Sequence, residues 1–167
     1  MTSESNSYKT ATLRIEPSRP IRRLASDGLI IGRTLDYGCG QGLDADYYGM
    51  ESYDLHFAPI MPDGKFDTIT CTYVLNVIED HEVRVRVLQN IQHRLTDTGI
   101  AYITVRDDKR ALCGITRSGS WQGLIVLALP VRYKHAGYVT YELRHRDSTI
   151  HTAYVYHDNR RSPLRQY

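Results

Sequence analysis

The sequence predicts an α/β fold: a single domain whose mostly parallel sheet carries an antiparallel hairpin at its C-terminal edge. Three observations predict it. Strand-like and helix-like segments alternate from Arg33 to Val105, which implies right-handed crossovers between parallel strands. Alternate glycines, Gly38, Gly40 and Gly42, sit where the first of these strands gives way to a helix. The C-terminal third then becomes rich in β-forming residues.

The elements follow in order. Residues 1–17 read as an N-terminal arm, 18–157 as the domain and 158–167 as a basic tail with Arg160, Arg161 and Arg165. Ser18-Arg19-Pro20 opens a helix, with Ser18 as N-cap and a proline in the first turn, and Gly28 falls where a C-cap belongs. Arg33 to Tyr37 reads as a strand, followed by the glycines and a short helix through about Tyr48. Ser52 to Leu55 and Phe66 to Tyr73 are the next strands. Glu79 to Leu95 is the clearest helix: Val83, Val87, Leu88, Ile91 and Leu95 recur at three- to four-residue spacing, and Asp80 can cap its start. Gly99 to Val105 is a further strand. Tyr138 to Leu143 and Thr149 to Tyr156 are expected to pair as the edge hairpin.

Composition sets the bounds. A chain of 167 residues holds one core, and 41% hydrophobic with 24% charged residues is ordinary globular composition. The formal charge of +2 leaves nucleic-acid contact to local patches such as Arg14, Arg19, Arg22 and Arg23. Cys39, Cys71 and Cys113 form no C-x-x-C pair, so no metal site is expected. The polar stretch Met1 to Thr10 lacks the apolar segment of a secretory signal, and the apolar run Leu124 to Val131 is too short to span a bilayer. A cytoplasmic protein without a membrane partner is the expectation.

The chemistry is concentrated in Leu35-Asp36-Tyr37-Gly38-Cys39-Gly40-Gln41-Gly42. A dinucleotide fingerprint needs its last glycine three positions after the second; that position is Leu43, which opposes a nicotinamide-dependent oxidoreductase. The pattern D-x-G-x-G-x-G instead resembles the first motif of class I S-adenosylmethionine-dependent methyltransferases, which have a Rossmann-like fold. The resemblance implies that Asp36, Gly38, Cys39, Gly40 and Gly42 hold the methionine part of S-adenosylmethionine, with Asp36 serving its amino group. It further implies that Asp54, followed by Leu55, accepts the ribose hydroxyls. The stretch Phe66-Asp67-Thr68-Ile69 through Val74-Leu75-Asn76 resembles the family's fourth strand, so that Thr72, Tyr73 and Asn76 face the site. One departure stands out. Only eleven residues separate Asp54 from Phe66, too few for the family's third strand with its helices. That region is shortened to a loop, in which Asp63 is the one stand-in for the acid that contacts adenine in typical members.

Methyl transfer from a sulfonium has an excellent leaving group, so alignment of donor and acceptor matters more than a fixed catalytic base. Tyr73, Asn76 and Arg106, at the exits of two strands, are the candidate catalytic residues. Tyr8, Lys9 and Arg14 on the arm and Trp121, a stacking surface, are the candidate substrate residues. No [DNS]-P-P-[YFW] loop and no Pro-Cys pair occurs, which disfavours the standard routes to base methylation in DNA. The stretch Tyr73 to Asp80, with Thr116 to Gln122, is nonetheless similar to methyltransferases encoded near DNA-modification systems of bacteria and phages. The acceptor is therefore expected to be a small molecule, nucleobase or nucleotide. The competing reading is a non-catalytic Rossmann-like module that binds nucleic acid or a protein partner.

Overall fold

The computed structural model describes residues 14–108, 114–116, 119–146 and the backbone of 156–157. Strands β1 (Thr34–Tyr37), β2 (Glu51–Tyr53), β3 (Phe66–Thr72) and β4 (Leu95–Asp107) run parallel. Strands β8 (Val131–His135) and β9 (Gly137–Arg144) form the antiparallel hairpin, with β9 against β4. Together they make a six-stranded sheet of order β2-β1-β3-β4-β9-β8. The sheet ends at β2, so the third strand of the family pattern is absent from the described residues.

The hairpin itself corrects the expectation. Tyr138 to Leu143 is a strand, but its hairpin partner is Val131–His135, turned back through Ala136 and Gly137. Gly137, at φ +100, permits the tight return. Most of the expected partner, residues 149–155, lies outside the described residues. Strand β10 (Tyr156–His157) pairs instead with β7 (Ile125–Val126). The expected basic tail and the first thirteen residues of the arm also lie outside them. A small ladder of β5 (Gly114–Ile115) and β6 (Trp121–Gln122) completes the strands.

Helices cover both faces. Strand β4 alternates: Ala101, Ile103 and Val105 point to one side, where Leu88 and Ile91 of α3 (His81–His93) meet them. Tyr102 points to the other, where Ile21 and Leu24 of α1 (Arg19–Ser26) and Ala45 of α2 (Leu43–Tyr48) pack. This alternation is the period-two geometry of a strand buried on both faces. No described helix is long and apolar enough to cross a membrane.

Two caps differ from one another. Ser18 precedes α1 but makes no side-chain cap; its backbone N–H donates to Asp44 at 2.7 Å. Asp80 caps α3 as expected, accepting from Glu82 N at 2.7 Å and Val83 N at 3.1 Å. The cap shortens the helix to His81–His93, and Leu95 already pairs with Phe66 in the sheet. Asp80→Ala should lower stability by about 1 kcal/mol, read as a reduced urea midpoint with an unchanged slope.

Candidate active site

The site lies at the C-terminal ends of the parallel strands, where β1 and β3 exit in opposite directions across the sheet. The glycine loop is built against β2. Gly38 N and Cys39 N both donate to Tyr53 O, at 2.6 and 3.1 Å. Gly38, Gly40 and Gly42 all have positive φ, at 78, 56 and 85°. At Gly38 the requirement is doubled, because a Cβ there would come within 2.2 Å of Val74 Cγ2. The loop's packing against the exit of β3 therefore excludes any side chain.

Asp54 stands immediately after β2 with its carboxylate tied to the loop. One oxygen accepts from Gly40 N at 3.0 Å, the other from His56 N at 2.8 Å and Phe57 N at 3.1 Å. These bonds fix the carboxylate between the glycine loop and the following turn, and the oxygen bonded to Gly40 N retains a lone pair for a ligand hydroxyl. Leu55, the next residue, is 83% exposed. Asp36 is buried under the loop, and Thr70 Oγ1 donates to it at 2.8 Å. Burial first, and then the neighbouring carboxylates Asp44 and Asp54, push its pKa up to about 7, against the lowering effects of Thr70 and Arg14. Cys39 is buried too; burial holds its thiol at about 11, and Sγ lies 3.5 Å from Gly40 O. It is a packing residue of the loop.

Helix α2 starts at Gly42 without a side-chain cap, and its first turn holds Asp44 and Asp46. Asp44 is buried and paired: Arg14 donates to both its oxygens, at 3.3 and 3.0 Å, and Ser18 N to one. Arg14 thus reaches the rim of the glycine loop, where its charge is felt by both Asp36 and Tyr73. Tyr8 and Lys9 lie outside the described residues.

The exits of β3 and β4 form the other half. Thr72 ends β3 with a buried, unpartnered Oγ1. Tyr73 is the one described non-glycine residue with a left-handed backbone, φ 63°, and its N–H donates to Thr104 O at 2.9 Å. Such a backbone costs on the order of 1 kcal/mol and turns the tyrosine out of the strand direction. With Arg106, Asp108 and Gly137 it lines an open pocket of about 260 Å³. Burial raises the Tyr73 phenol pKa, while Arg106, Arg14 and Arg19 oppose the rise. Arg106 donates to Gln122 Oε1 and lies 3.6 Å from Asp108, which fixes its orientation from two sides.

Asn76 and Trp121 take different positions from those the sequence suggests. Asn76 is 1% exposed, in a 3-10 turn over Leu75–Val77. Its amide donates to Gly123 O at 2.7 Å and accepts from Arg106 N at 2.9 Å, so both ends join backbone segments and neither faces the pocket. Trp121 packs on the main core with its ring over Gly123, where a Cβ would meet it at 2.2 Å. The Arg84 guanidinium lies 5.7 Å from its ring centroid. Sequence reasoning missed Asp44, Thr70, Asp108 and Arg84. Only Arg84 carries a signal: it shares the stripe of Leu88 and Ile91, seven residues along one helical face.

The methyltransferase domain family model matches residues 10–150. The chain belongs to the methyltransferase domain family. Solved structures similar to this methyltransferase include the 1,6-didemethyltoxoflavin N1-methyltransferase of Burkholderia thailandensis, determined with 1,6-didemethyltoxoflavin and S-adenosylhomocysteine. It is 13% identical, with a TM-score of 0.55 over 83% of this chain and 78% of that one. The DhpI complex with S-adenosylhomocysteine is 15% identical, with a TM-score of 0.51 over 75% of this chain and 82% of that one. These likenesses establish the class I methyltransferase fold. No curated protein sequence is similar enough to register as a relative.

The Asp36 carboxyl generates a stability prediction. Its folded pKa lies above the ordinary carboxylate value of 3.8. Below about pH 4 both states hold the proton; from there to about 7 only the folded state does, so stability falls as pH rises and then levels. Asp36→Asn should flatten this dependence, measured as urea midpoints between pH 5 and 8.

Proposed function

We propose that this methyltransferase moves the methyl group of S-adenosylmethionine onto a small molecule of nucleobase or nucleotide type. The observation that carries the reading is Asp54, pinned by Gly40 N at the lip of a loop with three left-handed glycines. A ligand lying along that loop meets the close backbone at Gly38 to Gly40 and then the Asp54 carboxylate, with the Asp36 carboxyl beneath. That order suits an amino acid joined to a ribose. It suits a pyrophosphate less, because Asp46, in no ion pair among the described residues, stands in the first turn of a helix only six residues long.

S-Adenosylmethionine, once bound, supplies a methyl on a sulfonium, which a nucleophile can displace directly. The protein's part is orientation and exclusion of water. Asp36, beneath the loop, would balance the ammonium of the methionine moiety, Gly38, Cys39, Gly40 and Gly42 would give it a close-fitting backbone, and Asp54 with Leu55 would take the ribose and the base. Thr72 and Tyr73 border the reacting end. Tyr73 and Arg106 orient the acceptor, with Arg106 held by Gln122 and Asp108. A pocket of about 260 Å³ suits one or two rings. The similar Burkholderia thailandensis N1-methyltransferase has 1,6-didemethyltoxoflavin and S-adenosylhomocysteine bound, a small ring compound with the cofactor product.

The reading as a non-catalytic nucleic-acid module draws on the arginines of the N-terminal region. Three of them are committed to the protein's own acids: Arg14 to Asp44, Arg22 to Glu16 and Arg23 to Asp27. That arrangement leaves less charge for phosphate and favours the methyltransferase.

Calorimetry with S-adenosylmethionine, S-adenosylhomocysteine and NAD tests the reading. The first two should bind and NAD should not; binding of NAD alone would overturn it. Asp54→Ala should weaken S-adenosylhomocysteine by about tenfold or more, since the charged acceptor of the ribose is lost. Affinity should also rise from pH 5 to 7, as Asp36 gives up its proton to meet the ligand ammonium.

A further inference from the structure

Arg106 leaves β4 with both its backbone and its side chain secured. Its backbone N–H donates to Asn76 Oδ1 at 2.9 Å, and Asn76 is itself buried and bonded to Gly123 O at 2.7 Å. Its guanidinium donates one N–H to Gln122 Oε1. The ion pair with Asp108 is 3.6 Å long, beyond hydrogen-bonding range, and both side chains are partly exposed, at 33 and 43%. Such a pair contributes little to the fold. A guanidinium carries five N–H donors, so most of those on Arg106 remain for a ligand in the pocket that it lines with Tyr73, Asp108 and Gly137.

The surroundings of that pocket are positive. The charges of Arg106, Arg14 and Arg19 all reach the Tyr73 phenol, which makes no hydrogen bond among the described residues. Asp44 offsets Arg14, since it accepts from the guanidinium at 3.3 and 3.0 Å. Arg19, exposed at the start of α1, pairs with no described acid. Two cations, Arg106 and Arg19, therefore face one pocket acid, Asp108. A neutral ligand filling this pocket would cover the donors of Arg106 without answering them, and a site so built discriminates against it. A phosphate or carboxylate meets the same fork with two oxygens. Because Asn76 and Gln122 hold the arginine beforehand, little of that gain is lost to ordering it. The pocket opens past Gly137, where a Cβ would meet nothing within 4 Å, so a ring joined to the acid group has room there.

We infer that the methyl acceptor is an acid, its phosphate or carboxylate group held by the Arg106 guanidinium where Asp108 now sits. This rests on the reading above, in which the Tyr73 and Arg106 pocket takes the acceptor. Asp108 is the internal stand-in for that group, and its loose contact is one that a bidentate acid displaces. Arg106 thus sets specificity as well as orientation: it selects the charged form of a ring compound over its neutral counterpart.

Calorimetry on the full chain loaded with S-adenosylhomocysteine tests this with two pairs of single-ring probes. Uridine is compared with uridine monophosphate, and uracil with orotate, the carboxylate of the same ring. The acid of one pair should bind about tenfold more tightly than its neutral partner, and the pair that shows it tells phosphate from ring carboxylate. Arg106→Gln should bring each pair to within about twofold while the affinity for S-adenosylhomocysteine stays as it was. Asp108→Asn should tighten the preferred acid about threefold, because it removes the competitor for the guanidinium. A preference below about threefold in both pairs would overturn the inference and leave the methyltransferase reading intact. A preference that survives Arg106→Gln, or an acid weakened by Asp108→Asn, would do the same. Failure of S-adenosylhomocysteine to bind at all would overturn the methyltransferase reading, and this inference with it.

Discussion

The site hangs on one set of backbone bonds: Gly38 N and Cys39 N to Tyr53 O, and Gly40 N to the Asp54 carboxylate. They tie the loop leaving β1 to the end of β2. Two acids in its first turn suit the helix dipole, but α2 makes only six residues and has no side-chain cap, too little to hold its start alone. The ties to β2 fix the loop, the loop fixes the start of α2, and the left-handed glycines let the backbone meet those bonds without a clash. The result is a bare strip of main chain beside a fixed carboxylate, with a second carboxyl, Asp36, buried below.

The pocket at the exits of β3 and β4 is held by buried polar groups of another kind. Asn76 joins the 3-10 turn, the end of β4 and the segment at Gly123 with a single amide. Arg84 is 1% exposed and donates to Ile78 O at 2.6 Å and Glu79 O at 3.0 Å, while its Nε has no partner. Burial lowers its pKa from the usual arginine value. Trp121 closes over it, and the next residue, Gln122, grips Arg106. Groups that a sequence reading would place at the reacting centre thus serve one layer behind it. They hold the pocket's wall rather than line it.

Much of the fold was legible because its signals are local. The glycine spacing, the alternation in Phe66 to Thr72 and the stripe of Leu88 and Ile91 each follow from a backbone geometry that the residues themselves impose. The short gap after Asp54 likewise announced a sheet that stops at β2. The hairpin partner was not legible. Val131 to His135 alternates only briefly, Val-Arg-Tyr-Lys, directly after Pro130, and it buries little, so its pairing depends on Gly137 turning it onto β9. Asn76 was misplaced for a related reason. Sequence order puts it at the exit of β3, but only the fold brings Gly123 and Arg106 to its amide. Asp63 sits near Asp54 in the chain, yet its neighbour Gly64 lies against the Arg33 guanidinium, and Arg33 precedes β1.

The contact between Val74 and Gly38 has a mechanical meaning. Val74 follows Tyr73, which lines the open pocket at the exit of β3, and its methyl occupies the space that a side chain at Gly38 would need. Interiors packed at this density transmit displacement and do not absorb it. The glycine loop and the exit of β3 are therefore geared together, and a shift of one presses on the other.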